Sequence, residues 1–107
     1  MFIIYGSPMC PDCRECTANF DAHHVPYEYR DINENLRNLK ELLALRDKLP
    51  VFDPCKEIGA IGIPAIVRED GSVFLDWEGY LTDQGLSIVY KEERPPRPAC
   101  SLDKKNC

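Results

Sequence analysis

Two cysteines that follow an apolar run at the start of the chain constrain its fold more than any other feature. Residues 2–5 (FIIY) favour a strand, and the turn-forming residues 6–8 (GSP) end it, so a buried strand is predicted there. Helical spacing begins at Cys10-Pro11, and Pro11 suits a first helical position because its missing N–H would be unpaired there. The sequence therefore predicts that Cys10 stands where a helix starts, just after a strand.

This position indicates redox chemistry for the C-x-x-C pair. The unpaired N–H groups and the dipole of a helix N-terminus stabilise a thiolate, which makes Cys10 the predicted nucleophile. Cys13 lies one turn further on and is the predicted resolving thiol, which attacks the mixed disulfide on Cys10. The charge of Asp12 opposes thiolate formation nearby, so its net effect on Cys10 stays open. The alternative, half of a zinc site, lacks a second C-x-x-C outside residues 10–16 and a His-x-x-x-His.

Periodicity and turn signals define the rest of the chain as alternating strands and helices. The first helix ends near residue 22 or 23. The later predicted elements are a strand over 25–32, a helix capped within 33–35 and ending near 49–50, a connector over 51–62 with room for a short helical turn, a strand over 64–67, a turn over 69–72, a strand over 73–77, and a helix capped by Thr82 or Asp83. The order is β-α-β-α-β-β-α, an α/β fold with a four-stranded mixed sheet flanked by helices.

Composition and charge narrow the class of protein. The 107 residues carry a net charge of −5, so there is no basic surface for nucleic acid or anionic lipid. The first apolar run stops at Tyr5 and no run is long enough to span a membrane, which predicts a cytosolic protein whose thiols are kept mostly reduced. We expect one domain over residues 1–93 and a Pro-rich tail over 94–107 that contains Cys100 and Cys107.

A second motif, Gly62-Ile63-Pro64 before the third strand, completes a resemblance to the thioredoxin/glutaredoxin superfamily over residues 1–93. The resemblance implies the thioredoxin fold, a cis bond at Pro64 that faces the C-x-x-C pair, and an Ile63 backbone that pairs with the bound thiol substrate. The predicted catalytic residues are Cys10 and Cys13. The predicted substrate-binding residues are Pro11, Asp12, Ile63, Pro64 and Trp77.

Within the superfamily, residues 5–13 are most similar to glutaredoxins, which implies a dithiol–disulfide oxidoreductase that reduces disulfide-containing proteins or glutathione mixed disulfides. Two features depart from that family: Ser7 stands where glutaredoxins commonly carry Lys, and no Gly-Gly-Asp segment follows the fourth strand. Residues 77–80 (WEGY) are instead similar to the Trp-x-Gly-Phe of redoxins that serve ribonucleotide reductase. The electron donor is therefore either glutathione or a thioredoxin-reductase-type flavoprotein, and no tightly bound cofactor is implied.

The remaining cysteines allow other functions. Cys16 extends the spacing to Cys10-x-x-Cys13-x-x-Cys16, but it shares a helical face with Cys13 and Phe20, which favours a packed thiol over a ligand. Cys55 is either a buried thiol or a neighbour of the active site, and the two tail cysteines are either an electron relay or idle. The alternatives to an enzyme are a metal or iron–sulfur carrier that uses Cys10, Cys13 and Cys16 or the tail cysteines, and a redox-sensing interaction module.

Overall fold

The computed structural model describes residues 1–90. These residues form a four-stranded sheet with helices on both faces. The strands have the order β2-β1-β3-β4. The elements are β1 (Phe2–Gly6), α1 (Pro11–Ala22), β2 (Tyr27–Asp31), α2 (Leu36–Lys48), a 3₁₀ turn (Pro50–Phe52), α3 (Asp53–Glu57), β3 (Ala65–Val67), β4 (Val73–Phe74) and α4 (Trp77–Asp83). None of the helices within these 90 residues is long and apolar enough to cross a membrane.

The sheet is mixed, as the sequence predicts. β1 pairs in parallel with β2 and antiparallel with β3, and β3 pairs antiparallel with β4. A parallel pair needs a crossover between its strands, and α1 supplies it. The predicted α/β class and thioredoxin fold are therefore confirmed.

The core consists of two clusters, one for each face of the sheet. Side chains alternate along a strand, so Ile4 of β1 joins one cluster and Tyr5 joins the other. The first cluster, here called the Trp77 cluster, contains Ile4, Cys16, Phe20, Ile66, Trp77 and Leu81. The second, here called the Phe52 cluster, contains Tyr5, Cys10, Cys13, Ile32, Leu42, Phe52, Cys55, Ala60, Ile63, Ala65 and Leu75.

The first half of the chain follows the predicted boundaries closely. α1 begins at Pro11, and Asn35 caps α2 because its side chain accepts the N–H of Asn38 at 2.8 Å. The second strand is shorter than predicted. It begins at Tyr27 because the N–H of Val25 closes the end of α1 by donating to the carbonyl of Phe20 at 2.9 Å.

The prediction for residues 73–90 is wrong at two points. β4 ends at Phe74, and the last helix is α4 rather than a helix capped by Thr82 or Asp83. Asp76 caps α4 by accepting the N–H of Gly79 at 3.0 Å, and Trp77 and Leu81 then share its buried face. Trp77 therefore begins a helix and does not end a strand.

The connector from α3 to β3 is held against the rest of the fold and carries Ile63 and Pro64 to the site. The guanidinium of Arg46 in α2 donates to the carbonyl of Ala60 at 2.7 Å. Gly62 has φ +97°, and a Cβ there would lie 2.7 Å from Cδ1 of Phe52, so glycine is required on both counts. The predicted tail over 94–107, with Cys100 and Cys107, lies outside the described residues.

Candidate active site

Cys10 occupies the N-cap of α1, where the sequence predicts it. Its carbonyl accepts the N–H of Arg14 at 3.1 Å, and its own N–H donates to the carbonyl of Ser7 at 3.1 Å. The side chain of Cys10 therefore stands at the N-terminal end of α1. A thiolate at this position is stabilised by the N–H groups of a first helical turn and by the positive end of the helix dipole.

Cys13 lies in a different environment, although only two residues separate it from Cys10. Its side chain is 1% exposed, and burial raises its pKa to about 12. It packs against Gly6, where an added Cβ would lie 3.1 Å from Sγ of Cys13 and 2.7 Å from the hydroxyl of Tyr29. The end of β1 thus admits Cys13 because residue 6 has no side chain.

The cysteines differ in their bonding. Cys10 and Cys55 are each disulfide-bonded, whereas Cys13 and Cys16 are free thiols. The structure therefore shows no bond between Cys10 and Cys13. The assignment of this pair as nucleophile and resolving thiol stays a prediction.

The Ile63–Pro64 peptide bond is cis, as the resemblance implies, and it lies beside Cys10. Pro64 is fully buried, and Ile63 is 5% exposed at the edge of a cavity of about 200 Å³. The residues that line this cavity are Ser7, Met9, Cys10, Ile32, Asn33, Ile61 and Ile63. The fold thus brings the predicted substrate-binding Ile63 next to the predicted nucleophile.

Asp12 and Trp77 do not line this cavity, and their assignment to the substrate-binding surface stays a prediction. Both side chains are fully buried, and Nε1–H of Trp77 donates to Oδ1 of Asp12 at 3.2 Å. The reason is the position of α4: its first residue, Trp77, packs into the Trp77 cluster and meets the first turn of α1. Pro11 is half-buried between Cys10 and Asp12.

Sequence reasoning missed most of the cavity wall. Met9 and Ile61 are exposed side chains of this wall, and Ser7 hydrogen-bonds to the side chain of Asn33 beneath them. Met9 directly precedes Cys10 in the sequence, and this position alone indicates a residue of the cavity wall. Asn33 and Ile61 reach the cavity only through the ends of β2 and of the connector, so no local pattern marks them.

Cys16 is a packed thiol, which agrees with its predicted place on the buried face of α1. It is fully buried in the Trp77 cluster, and this burial raises its pKa well above the usual range. Within residues 1–90, no three His, Cys, Asp or Glu side chains form a group that could hold a metal ion. The described part of the chain thus offers no support for the metal-carrier alternative.

Comparisons with known proteins agree with the geometry. The sequence model of the glutaredoxin family matches residues 2–52. A Haemophilus influenzae (strain Rd) protein described as uncharacterized is 38% identical over 74 residues, which cover 69% of this chain and 86% of that protein. The global transcriptional regulator Spx of Enterococcus faecalis is 36% identical over 45 residues, which cover 42% of this chain and only 34% of Spx. No solved structure matches the chain.

The family match covers β1, α1, β2 and α2, and it includes both cysteines of the C-x-x-C pair. The cis Ile63–Pro64 bond lies outside the matched residues, and the fold places it beside Cys10. Sequence and structure together therefore assign the chain to the glutaredoxin-like proteins of the thioredoxin superfamily.

Proposed function

We propose that the protein is a thiol–disulfide oxidoreductase in which Cys10 is the nucleophile and Cys13 resolves the mixed disulfide. The observation that carries this proposal is the position of Cys10, at the N-terminus of α1 and on the wall of the cavity that Ile63 also lines. The glutaredoxin domain supports the same class of activity. The burial of Cys13 supports these roles, because it holds that thiol protonated at neutral pH.

The reaction conserves atoms and electrons through two exchanges. The Cys10 thiolate attacks one sulfur of a substrate disulfide, the substrate S–S bond breaks, and the first product thiolate leaves with a proton from solvent. Cys13 then loses its proton to solvent, and its sulfur attacks Sγ of Cys10; the bond to the substrate breaks, the second product thiolate leaves and takes up a proton, and the Cys10–Cys13 disulfide forms. Two electrons have passed to the substrate, and an external thiol donor must return them.

We propose a reductase dithiol, rather than glutathione, as that donor. Among the described residues, no charged side chain lines the cavity beside Cys10, and its wall is formed largely by Met9 and isoleucines. Glutathione carries charged groups at its ends, and an uncharged wall offers them no ion-pair partner. We further propose that the protein acts in the cytosol on disulfide-containing proteins, where a reducing pool can regenerate it.

The test is a turnover assay on insulin and on a glutathione mixed disulfide, with the wild type, Cys10→Ser and Cys13→Ser. Each substrate is supplied either with glutathione and its reductase or with thioredoxin reductase. We expect turnover with the second donor and a loss of about a thousandfold or more in Cys10→Ser, because the nucleophile is removed. Absence of turnover with either donor, or full activity in Cys10→Ser, contradicts the proposal.

A second candidate is a redox-sensing module with little turnover, and the similarity to the regulator Spx favours it. In that case the state of Cys10 would change the binding of a protein partner, while the net charge of −5 argues against direct contact with nucleic acid. The same assay separates the two functions. A sensor is oxidised and reduced once by stoichiometric reagents but does not sustain turnover.

A further inference from the structure

We propose that the hydroxyl of Tyr29 carries the proton of Cys13 to solvent during the resolving step. This inference rests on the proposed function, because it explains how Cys13 becomes a nucleophile in that reaction. Tyr29 lies in β2, 16 positions from Cys13 along the chain, and no short motif connects the two residues. The role is therefore a property of the fold.

Cys13 needs a route for its proton before it can attack Cys10. Its side chain is 1% exposed, so bulk water has almost no access to the sulfur. A hydrogen bond from the backbone N–H of Ser7 favours the thiolate, but burial outweighs it and raises the pKa of Cys13 to about 12. A neighbouring group that exchanges protons with water would therefore speed the attack on Cys10.

The hydroxyl of Tyr29 is such a neighbour. A Cβ added at Gly6 would lie 2.7 Å from Oη of Tyr29 and 3.1 Å from Sγ of Cys13, so both atoms border the same small space. Burial and the charge of a Cys13 thiolate raise the pKa of Tyr29, which therefore keeps its proton at neutral pH. A neutral hydroxyl can accept one proton while it donates another.

Tyr29 also connects the interior to water. Its side chain is half-buried and lines a surface cavity of about 250 Å³ together with Pro8, Arg14, Thr17 and Tyr27. The cavity beside the nucleophile has none of these residues in its wall. A proton can therefore leave through Tyr29 while a substrate occupies the other cavity.

The polar groups of α1 that surround this pair are less suited to the transfer. Among the described residues, the other titratable or charged groups that face Cys13 or Tyr29 are Arg14 and Cys16 on α1, and Tyr27 and Asp31 on β2. The guanidinium of Arg14 has no acceptor, so it cannot take up a proton. Cys16 is fully buried and offers no exit to water.

The two polar neighbours on β2 are held by other partners. The hydroxyl of Tyr27 donates to the carboxylate of Asp21 at 2.7 Å. Oδ1 of Asp31 accepts the N–H of Asn33 at 2.8 Å, and the negative charge of Asp31 raises the pKa of Cys13. Tyr29 is therefore better placed than either residue to exchange this proton.

The proposed step moves one proton outward and leaves Tyr29 unchanged. Oη of Tyr29 accepts the proton of the Cys13 thiol and gives its own proton to a water molecule in the surface cavity. The sulfur of Cys13 attacks Sγ of Cys10, the bond to the substrate breaks, and the substrate thiolate leaves and takes up a proton from solvent. The Cys10–Cys13 disulfide forms, and the two protein thiols have given two electrons to the substrate.

A single-turnover reaction separates the two exchanges. Reduced full-length protein, in excess, is mixed with an aromatic disulfide that releases one coloured thiolate in each exchange. The first release reports the attack by Cys10, and its rate depends on the protein concentration. The second release reports the attack by Cys13, and its rate does not depend on that concentration. We expect Cys13→Ser to lose this second release and Cys10→Ser to lose the first.

We expect Tyr29→Phe to slow the second release by about tenfold or more at neutral pH and to leave the first release unchanged. The change removes the hydroxyl and keeps the ring, and an unchanged first release shows that the site is intact. Tyr27→Phe is the matched control, since Tyr27 lies on the same strand and lines the same cavity. We expect it to leave both releases unchanged. A second release in Tyr29→Phe that is as fast as in the wild type overturns the proposal.

The pH dependence distinguishes proton transfer from a change in packing. As the pH rises from about 7 to about 10, hydroxide removes the proton of Cys13 directly, so the deficit of Tyr29→Phe should shrink. A deficit of the same factor at every pH indicates a structural effect and contradicts the role of Tyr29.

Asp31→Asn tests the other acceptor on β2. Because the charge of Asp31 raises the pKa of Cys13, we expect the second release in this variant to be at least as fast as in the wild type. A loss as large as that expected for Tyr29→Phe assigns the proton to Asp31 and overturns the proposal.

The two proposals fail in different ways. If the wild type gives no first release, or if Cys10→Ser retains it, the assignment as an oxidoreductase with Cys10 as nucleophile is wrong. If both releases depend on their cysteines but Tyr29→Phe matches the wild type, the role of Tyr29 is wrong and the proposed function stands. A second release that persists at full rate in Cys13→Ser assigns the resolving step to another thiol, and it overturns the role of Tyr29 as well.

Discussion

Cys10 and Cys13 show how strongly the surroundings of a single residue control its chemistry. Both cysteines belong to the buried Phe52 cluster, but Cys10 caps α1 and lines the cavity, whereas Sγ of Cys13 lies against Gly6. Burial raises the pKa of Cys13 to about 12, so only about one molecule in 10⁵ carries a Cys13 thiolate at pH 7. The thiolate is the reactive form, so Cys13 reacts slowly as a nucleophile while it is protonated.

This difference predicts the pattern of alkylation in the reduced protein. With iodoacetamide at pH 7 we expect modification of Cys10 well before Cys13 and Cys16, and a Cys13 rate that keeps rising above pH 9. Fragmentation of peptide 1–14 by mass spectrometry assigns each adduct. The protein unfolded in urea is the control, in which all thiols react alike. Equal rates for Cys10 and Cys13 in the folded protein are incompatible with this assignment.

At the scale of elements, α4 is attached to the active-site helix through one buried hydrogen bond. The indole N–H of Trp77 donates to Asp12 at 3.2 Å, and the two residues lie 65 positions apart in the chain. A buried hydrogen bond to a carboxyl group is among the stronger ones. This contact therefore holds the first turn of α1 in place, and Cys10 caps that turn.

A double-mutant cycle measures that contact. We expect Trp77→Phe and Asp12→Ala each to destabilise the protein, with a coupling of about 1–3 kcal/mol in the free energy of unfolding by urea. The coupling exists because either change alone removes the same hydrogen bond. Purely additive effects of the two changes contradict this role.

Gly62 allows the connector between α3 and β3 both a positive φ and close packing on Phe52. A comparison with Gly71 separates these two effects. Both glycines have a positive φ, +97° at Gly62 and +88° at Gly71. A Cβ added at Gly62 would meet the side chain of Phe52, whereas a Cβ added at Gly71 would have no neighbour within 4 Å. We expect Gly71→Ala to cost about 1–2 kcal/mol through backbone strain. Gly62→Ala adds displacement of the Phe52 ring and should cost more in urea unfolding. Equal costs for the two changes speak against tight packing at Phe52.

For the whole molecule, buried thiols and phenols link stability to alkaline pH. Burial raises the pKa of Cys13 from 9.0 to about 12, and it also raises the pKa of Cys16, Tyr27 and Tyr29. Each group binds its proton more tightly in the folded state. The stabilisation is therefore fully present below the unfolded pKa and is lost as the pH rises toward the folded pKa.

We accordingly expect the free energy of unfolding to fall between pH 9 and 12 under reducing conditions. Cys13 alone contributes a slope of up to about 1.4 kcal/mol per pH unit. Urea titrations at several pH values measure the slope, and Cys13→Ala is the comparison because it lacks that group. An identical slope in Cys13→Ala means that Cys13 titrates normally in the folded protein.

The accuracy of the sequence predictions varies along the chain, and the reason is physical. Local signals define the first half: the proline at the start of α1, the cap at Asn35, and the apolar strand before Cys10. The prediction fails after Phe74, where a two-residue strand gives way to α4. The local pattern does not identify Asp76 as a cap, because the next residue, Trp77, is a strong strand former and is buried only by packing against residues distant in the chain, such as Ile4 and Phe20.

The amino-acid sequence alone determined the order of elements up to β4, the place of Cys10 at a helix N-terminus and the family of the protein. Those features depend on neighbours within one or two turns of chain, and the periodicity of side chains records them. Only the tertiary structure decided that Asp12 is buried against Trp77 and that Ile61 and Asn33 line the cavity. These contacts join segments tens of residues apart, which only packing of the helices on the sheet brings together.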